Sequence, residues 1–111
     1  MAISRTETRL GGPTSLGTST TAICSASAGV TEVIKQLLIC NTDTVERTFS
    51  LAIGTAATAT NRFFSAMPIG ANDTIVLDTA IVLAPTETLE GLADTASKVV
   101  VTALGWEKTT T

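Results

Sequence analysis

The sequence contains no histidine and no tyrosine, and it has only one tryptophan and three phenylalanines. Without histidine, a Ser-His-Asp triad is excluded, and so are the commonest general base and the commonest zinc ligand. The ten acidic residues are spread singly along the chain, without the paired constellation that a hydrolase needs. We therefore expect a protein that is not an enzyme, with no cofactor and no metal ion.

Charged residues are also scarce, at 15% of the chain, and the net charge is −3. The seven Lys and Arg are dispersed, which argues against a nucleic-acid partner because phosphate binding needs clustered cations. No apolar run approaches the ~20 residues that span a bilayer, so we expect no membrane partner. The first residues lack the apolar segment of a signal peptide, which predicts synthesis in a cytoplasm. A surface with few charges is easily buried against another subunit, so we expect a homo-oligomer.

Two cysteines are present, Cys24 and Cys40. If residues 20–25 and 31–40 form a hairpin, Cys24 lies opposite about Thr31. Cys40 is then roughly 30 Å away at about 3.3 Å per residue. A disulfide needs Cα atoms within about 7 Å. We therefore predict two reduced, partly buried thiols.

Short runs of β-branched and apolar residues recur between turn residues, and this spacing predicts a single antiparallel β-sandwich. Strand order is not readable from one chain, so the jelly-roll and immunoglobulin-like orders both remain open. The predicted strands are residues 20–25, 31–40, 48–54, 61–66, 75–83, 88–93 and 98–106. Residues 75–83 form either one strand with a bulge near Asp78 and Thr79 or two short strands. Residues 56–60 read as a loop or a single turn.

The strand over residues 31–40 is apolar on both faces, which predicts a central strand covered on both sides. Its two predicted faces are Val33, Leu37 and Ile39 on one side, and Ile34 and Leu38 on the other. Residues 1–19 are polar and rich in Gly, Ser and Thr, and such a segment buries little on its own body. Residues 1–19 are therefore either a frayed terminus or an arm that becomes ordered on a neighbouring subunit, and the arm is favoured if the protein assembles. We predict an extended N-terminal arm over 1–19, a sandwich over 20–107 and a polar tail over 108–111.

Few side chains suggest a binding site. Arg62 precedes Phe63 and Phe64, and an arginine beside aromatic rings is the pattern of a stacking platform for a sugar or a base. Core packing of one Phe, with the other at a subunit contact, is the favoured interpretation. Trp106 ends the last predicted strand, and a core or subunit contact is favoured there over a ligand.

One group of acidic residues has the ligand chemistry of a cation site. Glu87, Glu90 and Asp94 would supply oxygens to calcium if a loop gathered them. No calcium-loop pattern supports this, so solvated charges at a sheet edge are favoured and no metal site is predicted.

Two long stretches carry a resemblance to a known group. They are residues 33–64 (VIKQLLICNTDTVERTFSLAIGTAATATNRFF) and residues 71–107 (ANDTIVLDTAIVLAPTETLEGLADTASKVVVTALGWE). A strand ending in an Asn-Thr turn leads to an alternating strand ending in Ile-Gly, then to an Asn-Arg element. An Asp-Thr-initiated strand, a Leu-x-x-x-x-Thr-Leu corner at residues 83–89 and a Val-rich closing strand follow. In these features the chain resembles the small all-β virion structural proteins and domains of tailed bacteriophages.

The resemblance implies a non-enzymatic structural protein of a tailed-phage virion, made in the host cytoplasm and assembling through the sandwich and the N-terminal arm. A tail-associated role as a minor tail protein is slightly favoured. A capsid decoration protein that stabilises the head shell is one alternative. A carbohydrate-binding module on a virion, with its site near Arg62, Phe63 and Trp106, is the other. The implied partners are major capsid or tail proteins and copies of the chain itself. The residues predicted to make contacts are Ile3, Arg5, Arg9, Leu10, Arg62, Phe63, Phe64, Met67 and Trp106.

Overall fold

The described part of the chain contains eight β-strands, and seven of them lie at the runs of β-branched and apolar residues that predicted strands. The computed structural model describes the backbone of residues 3–54 and 61–110 and the side chains of residues 8–54 and 61–109. The strands are β1 (Ile3–Ser15), β2 (Thr21–Ser25), β3 (Val30–Asn41), β4 (Arg47–Ile53), β5 (Arg62–Ile69), β6 (Thr74–Leu83), β7 (Thr88–Ala93) and β8 (Val99–Thr110). Within these described ranges, no helix is long and apolar enough to cross a membrane. The prediction for residues 56–60 lies outside the described residues.

The strands form two four-stranded antiparallel sheets. Sheet A has the order β1-β8-β3-β6, and sheet B has the order β2-β7-β4-β5. Each strand pairs with its mirror image along the chain: β1 with β8, β2 with β7, β3 with β6 and β4 with β5. This is a single long hairpin rolled into two layers, which is the jelly-roll arrangement. The predicted β-sandwich is confirmed, and of the two open strand orders the structure has the jelly roll.

The core lies between the inner faces of the two sheets. Alternate residues of each strand point inward, as the period of two along a strand requires. Phe49 is the largest fully buried side chain, and its ring meets the ring of Phe64 edge to face at a centroid distance of 5.9 Å. The other buried members are aliphatic or small: Leu16, Ile23, Cys24, Ala26, Ile34, Leu37, Ile39, Leu51, Ile69, Leu83, Leu89, Ala93, Val99, Val101 and Ala103.

The register of β3 shifts between Ile34 and Gln36. Between the pairs made by Ile34 and by Gln36, which are two residues apart on β3, the partners are three residues apart on β6 and one residue apart on β8. The predicted bulge in the strand over residues 75–83 is confirmed. The shift also changes which side chains face the core, so Ile34 lies inside with Leu37, and Val33 lies outside. The predicted pairing of Val33 with Leu37 on one face is therefore wrong.

The strands β3 and β8 come unusually close beside this shift. Gly105 pairs with Ile34, and a Cβ atom at Gly105 would run into the backbone carbonyl oxygen of Val33. The backbones can approach this far only because residue 105 has no side chain.

Residues 3–15 belong to sheet A rather than to a separate arm. Residues 1–19 were predicted to lie outside the sandwich because they are polar and rich in glycine. In the structure β1 pairs with β8 from Ile3 opposite Thr110 to Ser15 opposite Val100. A polar edge strand needs little burial of its own, because its backbone hydrogen bonds to β8 hold it. Contact of residues 1–19 with a neighbouring subunit remains a prediction.

The strands β2 and β3 lie in different sheets, so the hairpin expected between them is wrong. Cys24 of β2 pairs with Leu89 of β7, whereas Cys40 lies on β3. Both cysteines carry free thiols, Cys24 buried and Cys40 half-buried. Burial, reinforced by the nearby carboxyl of Glu32, raises the pKa of the Cys24 thiol to about 12. The Cys24 thiol is therefore un-ionised at neutral pH.

Asn41 anchors the predicted turn at the end of β3. Its buried Nδ2 donates to the carbonyl oxygens of Val45, Ile69 and Gly70, at 2.9, 3.1 and 3.1 Å. Its Oδ1 accepts from the amide of Asp43 at 3.0 Å. One side chain thus satisfies four backbone groups and ties the loop before β4 to the end of β5.

Candidate subunit interface

Side chains on the outer face of sheet A stand in rows that cross the strands, and four of these rows lie where β3 is paired with both β6 and β8. Residues paired across antiparallel strands point to the same side, so the register defines each row. The first row is Val82, Val33 and Trp106; the second is Asp78, Gln36, Leu104 and Arg9; the third is Val76, Leu38 and Thr102; the fourth is Thr74, Cys40, Val100 and Ser15. These rows are called the outer face of sheet A below.

The outer face of sheet A is unusually apolar. The solvent side of an antiparallel sheet is normally polar. Here Val76 and Val82, on the edge strand β6, are 57% and 55% exposed. Charge in the rows comes from Arg9 and Asp78, with the exposed Lys35 between the first and second rows. The first row also ends at Glu7, whose backbone pairs with Trp106, and the exposed Lys108 pairs with Thr31 beyond that row. Contiguous apolar surface of this kind marks an interaction site.

The second row carries opposite charges at its two ends. Arg9 lies on the edge strand β1 and Asp78 on the opposite edge strand β6, with Leu104 and Gln36 between them. The Gln36 side-chain amide donates to the carboxylate of Asp78 at 3.0 Å, which holds that carboxylate on the outer surface.

A second group of polar side chains lies inside the sandwich. Glu32 is only 4% exposed, and it pairs directly across the strands with Glu107. Its Oε1 is buried and has no hydrogen-bond partner. Burial, and next the charge of Glu107, raise the pKa of the Glu32 carboxyl, and a hydrogen bond with the Cys24 thiol opposes this in part. Nothing in the sequence indicates this pair, because the two residues are 75 positions apart (107 − 32) and meet through the β3–β8 register.

The predicted contact residues on β5 divide between surface and core. Phe64 is half-buried and packs against the core on Phe49, whereas Phe63 and Met67 are each 38% exposed. Arg62 is half-buried, and its guanidinium donates to the hydroxyl of Ser65 at 3.3 Å. Packing of one phenylalanine into the core agrees with the favoured interpretation. A contact through the exposed residues remains a prediction.

The other predicted contact residues lie on sheet A. Arg9 is exposed and Trp106 half-buried on its outer face, while Leu10 is half-buried and packs against the core. The backbones of Ile3 and Arg5 belong to β1, and their side chains lie outside the described residues.

The carbohydrate site considered from sequence is not assembled as one groove. Trp106 points outward from sheet A, whereas Phe63 belongs to β5 of sheet B. Phe63 also lies on the opposite side of β5 from Phe64, which faces the core. The two aromatic residues therefore lie on opposite surfaces of the sandwich.

The acidic residues considered for calcium are separated along β7. Glu87, before the strand, accepts a hydrogen bond from the amide of Ala84 at 2.8 Å. Asp94, after the strand, lies 3.9 Å from the guanidinium of Arg47. Glu90 is 6% exposed in the middle of the strand, and burial raises the pKa of its carboxyl. Among the described residues, no three Cys, Asp or Glu side chains are grouped to hold a metal ion.

Solved structures share the fold. One chain in the structure of infectious bursal disease virus Gx strain matches with a TM-score of 0.52 and 15% identity, over 97% of this chain and 32% of that chain. One chain in the structure of the Gt strain matches with a TM-score of 0.39 and 10% identity, over 96% of this chain and 28% of that one, which is too weak to support an argument. No protein-family model and no curated protein sequence matches the chain. The chain thus spans about a third of the length of the Gx-strain chain, and the likeness is one of fold.

Proposed function

We propose that the chain is a non-enzymatic structural subunit of a virus particle. The observation that carries the proposal is the jelly-roll order of its strands, an arrangement used by viral capsid domains. The likeness in fold to a chain of the infectious bursal disease virus structure supports the same reading. Because jelly rolls also occur in proteins of other function, the proposal rests on the surface of the chain as well as on its fold.

The surface supports an assembly role. The outer face of sheet A presents valine, leucine and tryptophan side chains in successive rows, with few charges among them. Such a face is stabilised when another protein surface covers it. In a particle, many copies make the same contact, so individually weak contacts become collectively strong. The chain then functions by burial of surface rather than by chemistry.

Two positions within a particle follow from different observations. The jelly-roll order favours a place in or on the shell, as a decoration protein that stabilises it. The resemblance of residues 33–64 and 71–107 to virion proteins of tailed phages favours a tail-associated subunit. The partners are major capsid or tail proteins accordingly. We favour the shell, because the strand order is a property of the whole fold.

The experiment is to locate the chain on particles. Particles are purified by density gradient from cells in which the virus that encodes the chain replicates, and an antibody against the chain is applied in immunogold electron microscopy. Gold over the shell supports decoration, and gold along a tail supports the tail-associated role. Recovery of the chain from the soluble fraction alone, with unlabelled intact particles, contradicts a structural role.

A further inference from the structure

We infer that the outer face of sheet A binds the same face of a second copy, forming a two-fold dimer in which Arg9 of each copy meets Asp78 of the other. The inference deepens the proposed structural role and rests on it for its biological meaning. Three properties of the face support this dimer: its composition, its size and the symmetry of its charges.

The composition of the face fits burial against another sheet. In sheet packing, side chains from two facing sheets interdigitate at a spacing of about 10 Å. Leu38 and Val100 lie on the two central strands β3 and β8, and Val76 and Val82 lie on the edge strand. These side chains are aliphatic, as are those of the inner faces of this same sandwich. A second copy of the face therefore supplies matching chemistry.

The size of the face is sufficient for a specific but weak dimer. Four strands at about 4.8 Å spacing give a width of about 19 Å, and the eight residues from Val33 to Cys40 give a length of about 26 Å. Each copy then contributes about 500 Å², and two copies bury about 1,000 Å², close to the lower bound for a biological interface. We therefore expect a dimer that dissociates on dilution.

The positions of Arg9 and Asp78 determine the direction of the two-fold axis in the proposed dimer. A two-fold axis parallel to the strands, placed between β8 and β3, lays each row of one copy over the same row of the other. It also lays β1 over β6 and β8 over β3, because the sheet order is β1-β8-β3-β6. In the second row, Arg9 then lies over Asp78 of the second copy, and the reverse contact is identical. Trp106 lies over Val33 of the second copy in the first row. An axis in the plane of the interface and perpendicular to the strands would instead lay β1 over β1 and β6 over β6, so Arg9 would not meet Asp78 of the second copy.

The first test is reversal of these charges. Sedimentation equilibrium of the full chain should show a monomer–dimer equilibrium that weakens as salt rises, because the charges lie at the rim. Arg9→Asp and Asp78→Arg should each raise the dimer Kd by about tenfold or more, through like-charge contacts across the axis. The double variant Arg9→Asp with Asp78→Arg should restore Kd to within about threefold, since the opposite charges then face each other again.

The second test uses two valines of similar exposure. Val76, 57% exposed, lies on the proposed interface, and Val45, 49% exposed, lies in the loop between β3 and β4. Val76→Lys should raise the dimer Kd by about tenfold or more, because a buried, unpaired ammonium opposes association. Val45→Lys is the matched control and should leave Kd unchanged. Both side chains are exposed in one copy, so neither variant should alter the unfolding of the monomer.

The outcomes separate this inference from the proposed function. A monomer at all concentrations overturns the dimer, as does a dimer that Val76→Lys leaves intact. A dimer weakened by Val76→Lys, but without rescue in the double charge variant, overturns the parallel two-fold geometry. Gold labelling of particles together with a strictly monomeric chain means that another virion protein covers the face, so only the dimer fails. A confirmed dimer with unlabelled particles means that the virion role fails and the pairing stands.

Discussion

Replacement of Glu32 by glutamine should stabilise the protein and make its stability less dependent on pH. Glu32 is almost fully buried, its Oε1 has no hydrogen-bond partner, and Glu107 lies directly opposite. Both burial and the second carboxyl disfavour ionisation of Glu32, so the pKa of Glu32 is raised in the folded protein from its ordinary value of 4.5. Glutamine has nearly the same shape and carries no charge.

The sign follows from proton linkage. The folded protein holds the Glu32 proton more tightly than the unfolded chain does. The contribution of Glu32 to stability is therefore fully present below about pH 4.5 and is lost as pH rises through the raised folded pKa. A buried charged group without its full complement of hydrogen bonds destabilises by about 1–3 kcal/mol. We expect Glu32→Gln to have little effect near pH 4 and to raise the free energy of unfolding by about 1–3 kcal/mol once Glu32 is ionised.

The assay is urea denaturation between pH 4 and pH 9, followed by circular dichroism at one dilute protein concentration. Dilution matters because a dimer would add concentration-dependent stability. Glu107→Gln should reproduce part of the gain, because it removes the opposing charge. Glu46→Gln is the control: Glu46 is exposed in a loop, and its replacement should change the free energy of unfolding by less than about 0.5 kcal/mol.

Two results would refute this reasoning. Destabilisation by Glu32→Gln at pH 8 would mean that the carboxylate is well solvated or paired in the folded protein. Parallel pH profiles for the wild-type chain and for Glu32→Gln would mean that Glu32 titrates alike in the folded and unfolded states, contrary to a raised pKa.

Three further predictions concern the packing of the sandwich, each checked by urea unfolding. Phe49→Ala should lower the free energy of unfolding by about 3–5 kcal/mol, whereas Phe63→Ala, at a 38% exposed site, should lower it by less than about 1 kcal/mol; equal losses would contradict the assigned core. Asn41→Ala should lower it by about 2–4 kcal/mol, since four backbone groups lose their partner; a neutral effect would mean that water replaces the side chain. Gly105→Ala should lower it by about 2 kcal/mol or more through its clash with β3, while Gly17→Ala, whose added Cβ would meet no atom closer than 3.5 Å, should change it by less than about 0.5 kcal/mol.

Local pattern was sufficient to locate seven of the eight strands. Residues 88–93 were predicted with the observed bounds, and residues 48–54 nearly so, because inward side chains of a half-buried strand alternate with polar ones. The first strand was missed because it lacks this alternation. Residues 3–15 have little apolar alternation, and what makes them a strand is β8, far away along the chain.

Local pattern did not predict which strands pair or which side chains face the core. The hairpin expected between residues 20–25 and 31–40 does not form, because the two strands belong to different sheets. Val33 was predicted to share a face with Leu37, but the register shift beside Lys35 puts Val33 on the outer face while Leu37 lies in the core. A single such shift reverses the side of every residue beyond it.

For this reason the sequence predicted only some residues of the candidate interface. Trp106 was predicted because tryptophan is a common contact residue, and Arg9 because it lies in the predicted N-terminal arm. Their neighbours in the rows, such as Val76 and Leu38, are ordinary strand residues in the sequence. They form a surface only once the β3–β6 register places them side by side.

The nested pairing of the strands has a consequence for how the chain folds. Among the described strands, β4 and β5 form the innermost pair and the one pair between consecutive strands, whereas β1 and β8 join residues about a hundred positions apart. Loop closure favours local pairs first, so the inner hairpin can form early and the β1–β8 ladder closes last. Because β8 lies between β1 and β3, sheet A does not exist until β8 has been synthesised. A nascent chain in which β8 has not yet been made therefore lacks the complete outer face of sheet A.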